Sequence, residues 1–342
     1  MKRTGNLFES ILDRENLRSA VHKSLKGKRA RDDARAWMAN LDANLERIAE
    51  QLRIATFPVG RAHQFVIHDP KERIITAPCF EERVVHHAIM NICEPHLDRW
   101  LIPDTYACRM GKGRVRCLLR ARQYAARYGW FLKMDIRKYF DSVPHGRLLE
   151  LWAKRFKDKP LFDLLSSILN GYRGQSGRGL PIGSLTSQHL ANFYLGWFDR
   201  FAKETLRMPG YVRYMDDIAM WTDDAAALKT AESESRRFLG AVLGLEIKPE
   251  PYHNRTRHGM DLLGCRVFDN RMTLNRRSRI RFRHQWKELE MQYTTGQIAE
   301  MELQSRMTSL VAFTQTAGVS AWQFRQHVIG SSGVSGQETR TA

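Results

Sequence analysis

Short stretches of alternating or continuous apolar residues stand between longer stretches with helical spacing. Each short stretch predicts a β-strand, because successive side chains of a strand point to opposite faces. Strand pairs are predicted within residues 64–78, around a turn at Asp69–Pro70, and within residues 211–221, around a tight turn at Met215–Asp216. Single strands are predicted at residues 130–135, 245–248 and 261–268.

The longer stretches predict helices, because their apolar residues recur every three or four positions. The clearest helix begins near Ser184 and carries a stripe of leucine and aromatic residues. Further helices are predicted in much of 1–60, in 81–98, from 114 to about 128, in 145–156, in 224–239 and from about 276 onwards. Residues 109–114 and 171–183 are rich in glycine and are predicted to be irregular. This order of elements predicts an α+β fold with an antiparallel sheet and with helices on one face of it.

The composition points to a polyanionic partner. The chain has 342 residues, of which 43% are apolar, so a sizeable core divided into two or three subdomains is expected. Lys and Arg together number 55 and Asp and Glu 37, a difference of 18 positive charges. So basic a chain usually binds nucleic acid, and a membrane surface is the alternative.

Other features predict a cytoplasmic protein. The apolar runs fall short of the roughly 18–20 residues that a membrane-spanning helix needs, and the first ten residues, MKRTGNLFES, lack an apolar signal core. The five cysteines are odd in number and show no C-x-x-C spacing. They are therefore predicted to be reduced thiols rather than disulfides or zinc ligands.

Three aspartates lie at the end of a predicted strand or in a predicted turn between strands. Asp135 ends an apolar strand, and Asp216 and Asp217 lie in the tight turn of the strand pair YVRYMDDIAMW. A lone aspartate at a strand end is most often a turn residue. Two adjacent acids between apolar strands are costly unless a cation compensates their charge. Two Mg²⁺ ions would do so, with the carbonyl of Ile136 and a nucleoside triphosphate as further ligands.

The motifs around these aspartates are those of a known family. The segment KMDIRKYFD, which contains Asp135, looks like the first palm motif of reverse transcriptases, and the segment YMDD, which contains Asp216 and Asp217, matches their catalytic box. The resemblance covers roughly residues 60–270. It implies a right-hand polymerase fold, with fingers, an antiparallel palm and a short helical thumb. It also implies RNA-directed DNA synthesis with two Mg²⁺ ions, for which Mn²⁺ can substitute, with Asp135 and Asp216 as the principal ligands and Asp217 as a weaker third.

The same resemblance implies a binding site for deoxynucleoside triphosphates. Phe140 lies where the family places an aromatic gate against the 2′-hydroxyl, and the alternative is a core residue. Ile182 and Gly183 belong to a second palm motif, GLPIGSLTSQ, whose glycine allows close approach of the backbone. The remaining candidates are basic residues for the triphosphate and pyrophosphate, with plain surface lysines and arginines as the alternative: Lys71, Arg73 and Lys248.

Two residues of the second palm motif differ from those of many reverse transcriptases, and they indicate a particular group within the family. Many reverse transcriptases have glutamine where this chain has Ile182, and proline where it has Gln188. The altered motif resembles the reverse transcriptases of diversity-generating retroelements of bacteria and phages, which copy a template RNA with errors at adenines. That resemblance implies a small, basic, pentameric accessory protein as partner. The alternatives are a retron-like or group II intron-derived reverse transcriptase, an RNA-dependent RNA polymerase, and a silent RNA-binding scaffold.

Contacts with template and primer are expected from basic residues and from the two motif regions. The candidates are Arg109, Lys112 and Arg114 in the glycine-rich loop, Ser187 and Gln188 on the helix after the second motif, Gly264 in a primer-grip hairpin, and Arg277 and Arg281 in the basic C-terminal part. The expected division of the chain is 1–60 N-terminal extension, 61–128 fingers, 129–270 palm with a finger insertion at 157–183, 271–330 thumb, and 331–342 flexible tail.

Overall fold

The structure is a computed structural model that describes residues 3–68, 72–172 and 177–330. Lys71, which sequence analysis assigned to the triphosphate, and the tail from residue 331 lie outside the described residues.

Four helices precede the first strand, as the polar helical pattern of this region predicts. They are α1 (Phe8–Leu12), α2 (Arg14–Ser24), α3 (Asp32–Met38) and α4 (Leu41–Arg53). Asp13 is the N-cap of α2, because its carboxylate accepts hydrogen bonds from the backbone N–H groups of Glu15 and Asn16. The apolar face of α2 packs against α5, the long helix that follows the first two strands.

The next unit is a β-hairpin followed by two helices. Strands β1 (Ala62–His68) and β2 (Glu72–Pro78) pair in antiparallel register, and the turn predicted at Asp69–Pro70 lies outside the described residues. Helix α5 (Phe80–Trp100) is almost wholly buried on one side, and α6 (Arg114–Arg127) follows the glycine-rich loop. These elements confirm the predicted hairpin and both predicted helices.

A four-stranded antiparallel sheet forms the centre of the molecule. Its strands are β3 (Trp130–Asp135), β4 (Gly210–Tyr214), β5 (Asp217–Thr222) and β6 (Tyr252–Arg255), in the spatial order β4-β5-β3-β6. The strand predicted at 245–248 is wrong, because Ile247 makes only an isolated bridge to Ile136, and the edge strand begins at Tyr252 instead.

Five helices connect the strands of this sheet. They are α7 (Tyr139–Ser142), α8 (His145–Ala153), α9 (Lys159–Gly171), α10 (Leu185–Arg200) and α11 (Ala225–Leu243). Helix α10 continues into a π-helical turn at Phe201–Thr205. Helix α9 was not predicted, although Asp158 caps it and it buries four aliphatic side chains.

Both faces of the sheet are covered, so the prediction of helices on one face is wrong. Leu132 and Met134 belong to a large core that also contains residues of α5, α8, α10 and α11. Phe131 and Trp221 point to the opposite face, where they pack with α6 and the strands that follow the sheet. Residues on successive positions of β3 thus enter two different cores, as strand geometry requires.

A small sheet and three helices form the last part of the chain that the structure describes. The sheet contains β7 (Met260–Leu262), β8 (Cys265–Val267) and β9 (Met272–Leu274), and the helices are α12 (Arg276–Thr294), α13 (Glu300–Gln315) and α14 (Gly318–Gly330). The architecture confirms the predicted α+β class. In the described part of the chain, no helix is long and apolar enough to cross a membrane.

Candidate active site

Two of the three aspartates face each other across neighbouring strands. Asp135 is the last residue of β3 and Asp217 is the first of β5, and the two are directly opposite in the antiparallel register. Side chains of directly opposed residues lie about 5 Å apart at their Cβ atoms. The pairing of β3 with β5 therefore brings together two carboxylates that are far apart in the sequence.

Asp216 lies in the two-residue turn that joins β4 to β5. The turn places Met215 at a φ of 53°, a left-handed conformation that non-glycine residues rarely adopt. Burial and, after it, the nearby carboxylates of Asp135 and Asp217 together raise the pKa of Asp216 to about 6. Such a shift marks a site where negative charges are held close together away from water.

Two lysines balance the other carboxylates. Lys248 donates a hydrogen bond to Asp135 Oδ2, and its backbone N–H donates to the Asp135 carbonyl at 2.9 Å. Lys133, two residues before Asp135 on β3, lies with its Nζ 3.1 Å from Asp217 Oδ1. All four side chains are partly exposed, with 25% to 43% of their surface accessible, so the carboxylates open to solvent.

The carboxylates suit a hard divalent cation. Among the described residues, no three His, Cys, Asp or Glu side chains are gathered closely enough to hold a metal ion by themselves. However, Asp135 Oδ1 is buried and has no hydrogen-bond partner in the described ranges, and Asp216 lies against two further carboxylates. Oxygen donors of this kind match Mg²⁺, which completes its shell with water and substrate oxygens.

A buried polar network supports the turn from behind. Arg213 of β4 and Asp199 of α10 are both fully buried, and they form a bidentate ion pair with N···O distances of 2.5 and 2.6 Å. Arg213 also donates to the carbonyl of Met215 and to the side chain of Asn192, both at 3.0 Å. The guanidinium therefore ties the backbone of the Met215–Asp216 turn to helix α10.

The loop that contains Ile182 and Gly183 is held against the β1–β2 hairpin. The backbone N–H of Thr76 on β2 donates to the carbonyl of Ile182 at 2.7 Å. Gly183 has a φ of 111°, and a Cβ at this position would lie 2.8 Å from the carbonyl oxygen of Thr76. Only glycine fits here, because a side chain would meet both an unfavourable backbone conformation and a steric clash.

The other predicted nucleotide-binding residues have different surroundings. Phe140 is half-buried beside Tyr139, with ring centroids 5.7 Å apart, and it packs against the main core while keeping one side accessible. The buried residue Ile136 bridges to Ile247 just beyond Asp135. Arg73 is exposed on β2.

The basic residues of the glycine-rich loop have structural partners. Only 7% of the Arg109 side chain is exposed, and its guanidinium contacts Asp98 and the carbonyls of Ile102 and Thr105. Lys112 donates to a backbone carbonyl, that of Pro103, at 2.7 Å. The hydrogen-bonding groups of Arg109 are thus used within the protein, and its contact with the template stays a prediction.

Arg114 also binds to other residues of the protein. Its guanidinium donates to the carbonyls of Leu263 and Phe313 and stacks on the ring of Phe313, 4.2 Å from its centroid. It therefore joins the start of α6 to the hairpin at Gly264 and to helix α13. The template contact of Arg114 stays a prediction beside this bridging contact.

The predicted primer and template residues of the C-terminal half lie in three places: the turn between β7 and β8, helix α12, and the start of α10. Gly264 has a φ of 84° in the turn between β7 and β8, where a Cβ would lie 2.8 Å from Phe313. Arg277 and Arg281 are exposed on α12, and Arg281 lines the cleft between α12 and α13. Ser187 is buried in the first turns of α10, and Gln188 beside it is half-buried.

Four residues of the site were missed by sequence analysis. Lys133 was visible within the first palm motif, and Arg213 directly precedes the segment YMDD, so both stood beside a recognised signal. Asn192 stood out only as part of the asparagine-aromatic segment after the second motif, and Asp199 gave no signal. A polar residue on an aromatic-rich helix does not reveal its partner on a distant strand.

The chain is similar to known polymerases over most of its length. A family model described as "Reverse transcriptase (RNA-dependent DNA polymerase)" matches residues 68–267, which is more than half of the chain. A "Putative COX1/OXI3 intron 2 protein" of Saccharomyces cerevisiae is 33% identical over 127 residues, covering 35% of this chain and 15% of that protein. The "Group II intron-encoded protein LtrA" of Lactococcus lactis subsp. cremoris is 24% identical over 169 residues, covering 47% of this chain and 28% of that protein.

A solved structure shares the fold. The apo telomerase of Candida tropicalis superposes with a TM-score of 0.51 at 10% sequence identity, covering 80% of this chain and 59% of that one. This chain therefore spans 15% and 28% of the two curated relatives and somewhat more than half of the telomerase.

Proposed function

Because the chain belongs to the reverse transcriptase (RNA-dependent DNA polymerase) family, we propose that it synthesises DNA on an RNA template from deoxynucleoside triphosphates. One observation carries this proposal: Asp135 and Asp217 are directly opposed on the central sheet, with Asp216 in the adjoining turn. Carboxylates gathered at the end of a polymerase sheet are the donors that nucleotidyl transfer requires.

Each carboxylate has its own role in the proposed reaction. Asp135 and Asp216 would hold two divalent ions, Mg²⁺ or in its place Mn²⁺, with the carbonyl of Ile136 as a further donor and Asp217 as a weaker third carboxylate. When bound, such ions activate the primer 3′-hydroxyl and neutralise the charge that develops on the pyrophosphate. Lys248, which now pairs with Asp135, would stay beside the site and screen the triphosphate.

The nucleotide would lie between the palm and the fingers hairpin. The half-buried Phe140 would contact the sugar and exclude a 2′-hydroxyl. Arg73 would lie beside the triphosphate, and the loop of Ile182 and Gly183, held by the hydrogen bond from Thr76 to the Ile182 carbonyl, would lie beside the base. Discrimination of this kind is steric, because a side chain occupies the space that an added hydroxyl needs.

Primer extension tests the proposed activity. Purified protein is incubated with an RNA template, a DNA primer and Mg²⁺, with either deoxynucleotides or ribonucleotides. We expect extension with deoxynucleotides alone, and none by the Asp216→Asn variant. Extension with ribonucleotides at a similar rate would point instead to an RNA polymerase.

We further propose that synthesis is error-prone at template adenines and serves gene diversification. The support is the second palm motif, in which Ile182 replaces a glutamine and Gln188 a proline of many relatives. Isoleucine packs but forms no hydrogen bond to the sugar, and losing a contact of about 1–3 kcal/mol relaxes selectivity. A small, basic, pentameric accessory protein belongs to this proposal as partner.

A group II intron-type enzyme is the second candidate. It is favoured by the two curated relatives reported above, both of which are described as intron proteins. Sequencing the cDNA separates the two candidates. Errors concentrated at template adenines, and reduced by Ile182→Gln, support the diversifying enzyme. Accurate synthesis by the unmodified protein, unchanged by Ile182→Gln, supports the intron-type enzyme.

The division into functional regions is part of the same proposal. Residues 61–128 would form the fingers, 129–270 the palm, with 157–183 as a finger insertion, and 271–330 the thumb. The cleft between α12 and α13, with Arg277 and Arg281 nearby, would then face the primer–template duplex.

A further inference from the structure

A basic cavity lies behind the loop of the second palm motif. It has a volume of about 210 Å³ and is lined by residues of three segments: Lys28 after α2, Arg83, His86 and His87 on α5, and Gly183, Leu185 and Gln188 around the start of α10. The N-terminal helical segment, the fingers helix and the second palm motif thus meet at one place.

The cavity carries positive charge without a matching carboxylate in its lining. Burial lowers the pKa of Lys28, and the charges of Arg83 and Arg31 lower it further. Burial likewise lowers the pKa of Arg83, whose guanidinium donates to the carbonyl of Ser24 at 2.8 Å. The charge of Asp33 only partly offsets the lowering of both pKa values. Within the described residues, no acidic side chain forms an ion pair with Lys28 or Arg83. Cations held close together and partly shielded from water favour an anion between them.

A buried histidine of the lining has an unused nitrogen. His86 is 1% exposed, its Nδ1 lies 3.2 Å from the Ser184 hydroxyl, and its Nε2 has no hydrogen-bond partner in the described part of the chain. The carboxylate oxygen Oε1 of Glu82 is 3.6 Å from Nε2 and already accepts from the Tyr172 hydroxyl and from the backbone N–H of Gly60. A buried polar atom without a partner is unfavourable, so a ligand atom that meets it is stabilised.

We propose that this cavity binds a phosphodiester group of the template strand, ahead of the nucleotide being copied. The proposal rests on the proposed function, because it takes the motif at Gly183 and Gln188 to be the templating surface. A metal-bound triphosphate fits the cavity less well, since such a group needs carboxylates for its ion and the lining has none. A phosphodiester needs only cations and N–H donors.

The test removes one charge from each side of the proposed contact. Primer–template duplexes carry a four-nucleotide RNA overhang with a methylphosphonate, which is uncharged, at each linkage in turn. Binding is measured by fluorescence anisotropy for the unmodified protein, for Lys28→Gln and Lys28→Glu, and for Lys26→Gln. Lys26 is the matched control, because it lies in the same connection and is exposed outside the cavity.

The proposal predicts a position-specific coupling. At one overhang linkage, methylphosphonate weakens binding by the unmodified protein about threefold to tenfold, the scale of one charged contact. Lys28→Gln weakens binding of the unmodified duplex similarly, and the two changes combined weaken it no further. Lys28→Glu weakens it more, while Lys26→Gln leaves the pattern unchanged.

Three outcomes would overturn the proposal. The first is that methylphosphonate and Lys28→Gln weaken binding independently, so that their effects multiply at every linkage. The second is that Lys28→Gln binds the duplex as tightly as the unmodified protein does. The third is that Lys28→Gln raises the KM for the deoxynucleotide and leaves template binding unchanged. Binding is also measured with the Asp216→Asn variant. If that variant shows the same coupling, the cavity is assigned whether or not the unmodified protein synthesises DNA, so failure of the proposed activity is distinguished from failure of this assignment.

Discussion

The buried pair of Arg213 and Asp199 should hold both the fold and the catalytic turn. Asp199 accepts hydrogen bonds from the Tyr211 hydroxyl at 2.5 Å and the Thr105 hydroxyl at 2.6 Å, in addition to the two from Arg213. Burial alone would lower the pKa of Arg213, but the charge of Asp199 more than offsets this and keeps the pKa above its ordinary value. The pair is therefore ionised in the folded protein.

Asp199→Asn removes the compensating charge and leaves the guanidinium of Arg213 buried. Breaking a buried pair in this way typically costs about 3–5 kcal/mol. The amide also has one acceptor oxygen where the carboxylate has two, so at least one donor loses its partner. We expect the free energy of unfolding, measured by urea denaturation, to fall by about 3–5 kcal/mol.

The same network predicts a separate effect on catalysis. Arg213→Met together with Asp199→Leu removes both charges, so the loss of stability should be smaller than for Asp199→Asn alone. The double variant also removes the hydrogen bond to the Met215 carbonyl, which frees the turn that carries Asp216. Because small displacements of reacting groups are costly, kcat should fall about 10- to 100-fold while template binding stays unchanged.

A surface pair gives the matched control. Arg236 and Glu232 are partly exposed on one face of α11, and their N···O distance is 3.2 Å. Arg236→Met should lower the unfolding free energy by no more than about 1 kcal/mol. A loss below about 1 kcal/mol for Asp199→Asn, equal to this control, would refute the reasoning about the buried network.

Three further predictions concern the site. Gly183→Ala should raise the KM for deoxynucleotides and lower the unfolding free energy by about 1–3 kcal/mol, because its Cβ meets the Thr76 carbonyl at positive φ; unchanged values in both assays would contradict this. Lys248→Met should lower kcat with little change in primer–template Kd, since it removes a cation from Asp135; an unchanged kcat would assign Lys248 to the surface alone. The Mg²⁺ concentration for half-maximal rate should rise as the pH falls through about 6, because the raised pKa of Asp216 leaves this carboxyl protonated, and unable to bind a cation, at lower pH; a flat profile between pH 5 and 7 would contradict this.

Local patterns predicted the elements that carry the site. The alternation ending at Asp135 and the apolar flanks of the turn at Met215–Asp216 gave β3, β4 and β5 with nearly their observed bounds. The pairing of β3 with β5 has no local signal, and only the resemblance to reverse transcriptases implied that Asp135 meets Asp216 and Asp217. The prediction of a strand at 245–248 was wrong because its apolar residues are buried in the core while only Ile247 forms a bridge, to Ile136.

The roles of the basic residues could not be predicted from local pattern. Arg109 and Arg114 lie in a loop whose composition is typical of phosphate binding, yet their partners are carbonyls of segments distant in the chain. The pairing of Arg213 with Asp199 likewise depends on how α10 packs against β4. Tertiary contacts decide which cations remain available to nucleic acid, and a single sequence gives no measure of them.

The central claim is that Asp135, Asp216 and Asp217 act together at the reacting phosphate. The most direct test is single-turnover incorporation of one deoxynucleotide by the three Asp→Asn variants, with primer–template Kd measured alongside. The account predicts that Asp135→Asn and Asp216→Asn lower the rate at least about 1,000-fold, equivalent to about 4 kcal/mol, that Asp217→Asn has a smaller effect, and that Kd changes little. Incorporation by Asp216→Asn within about tenfold of the unmodified protein would contradict it.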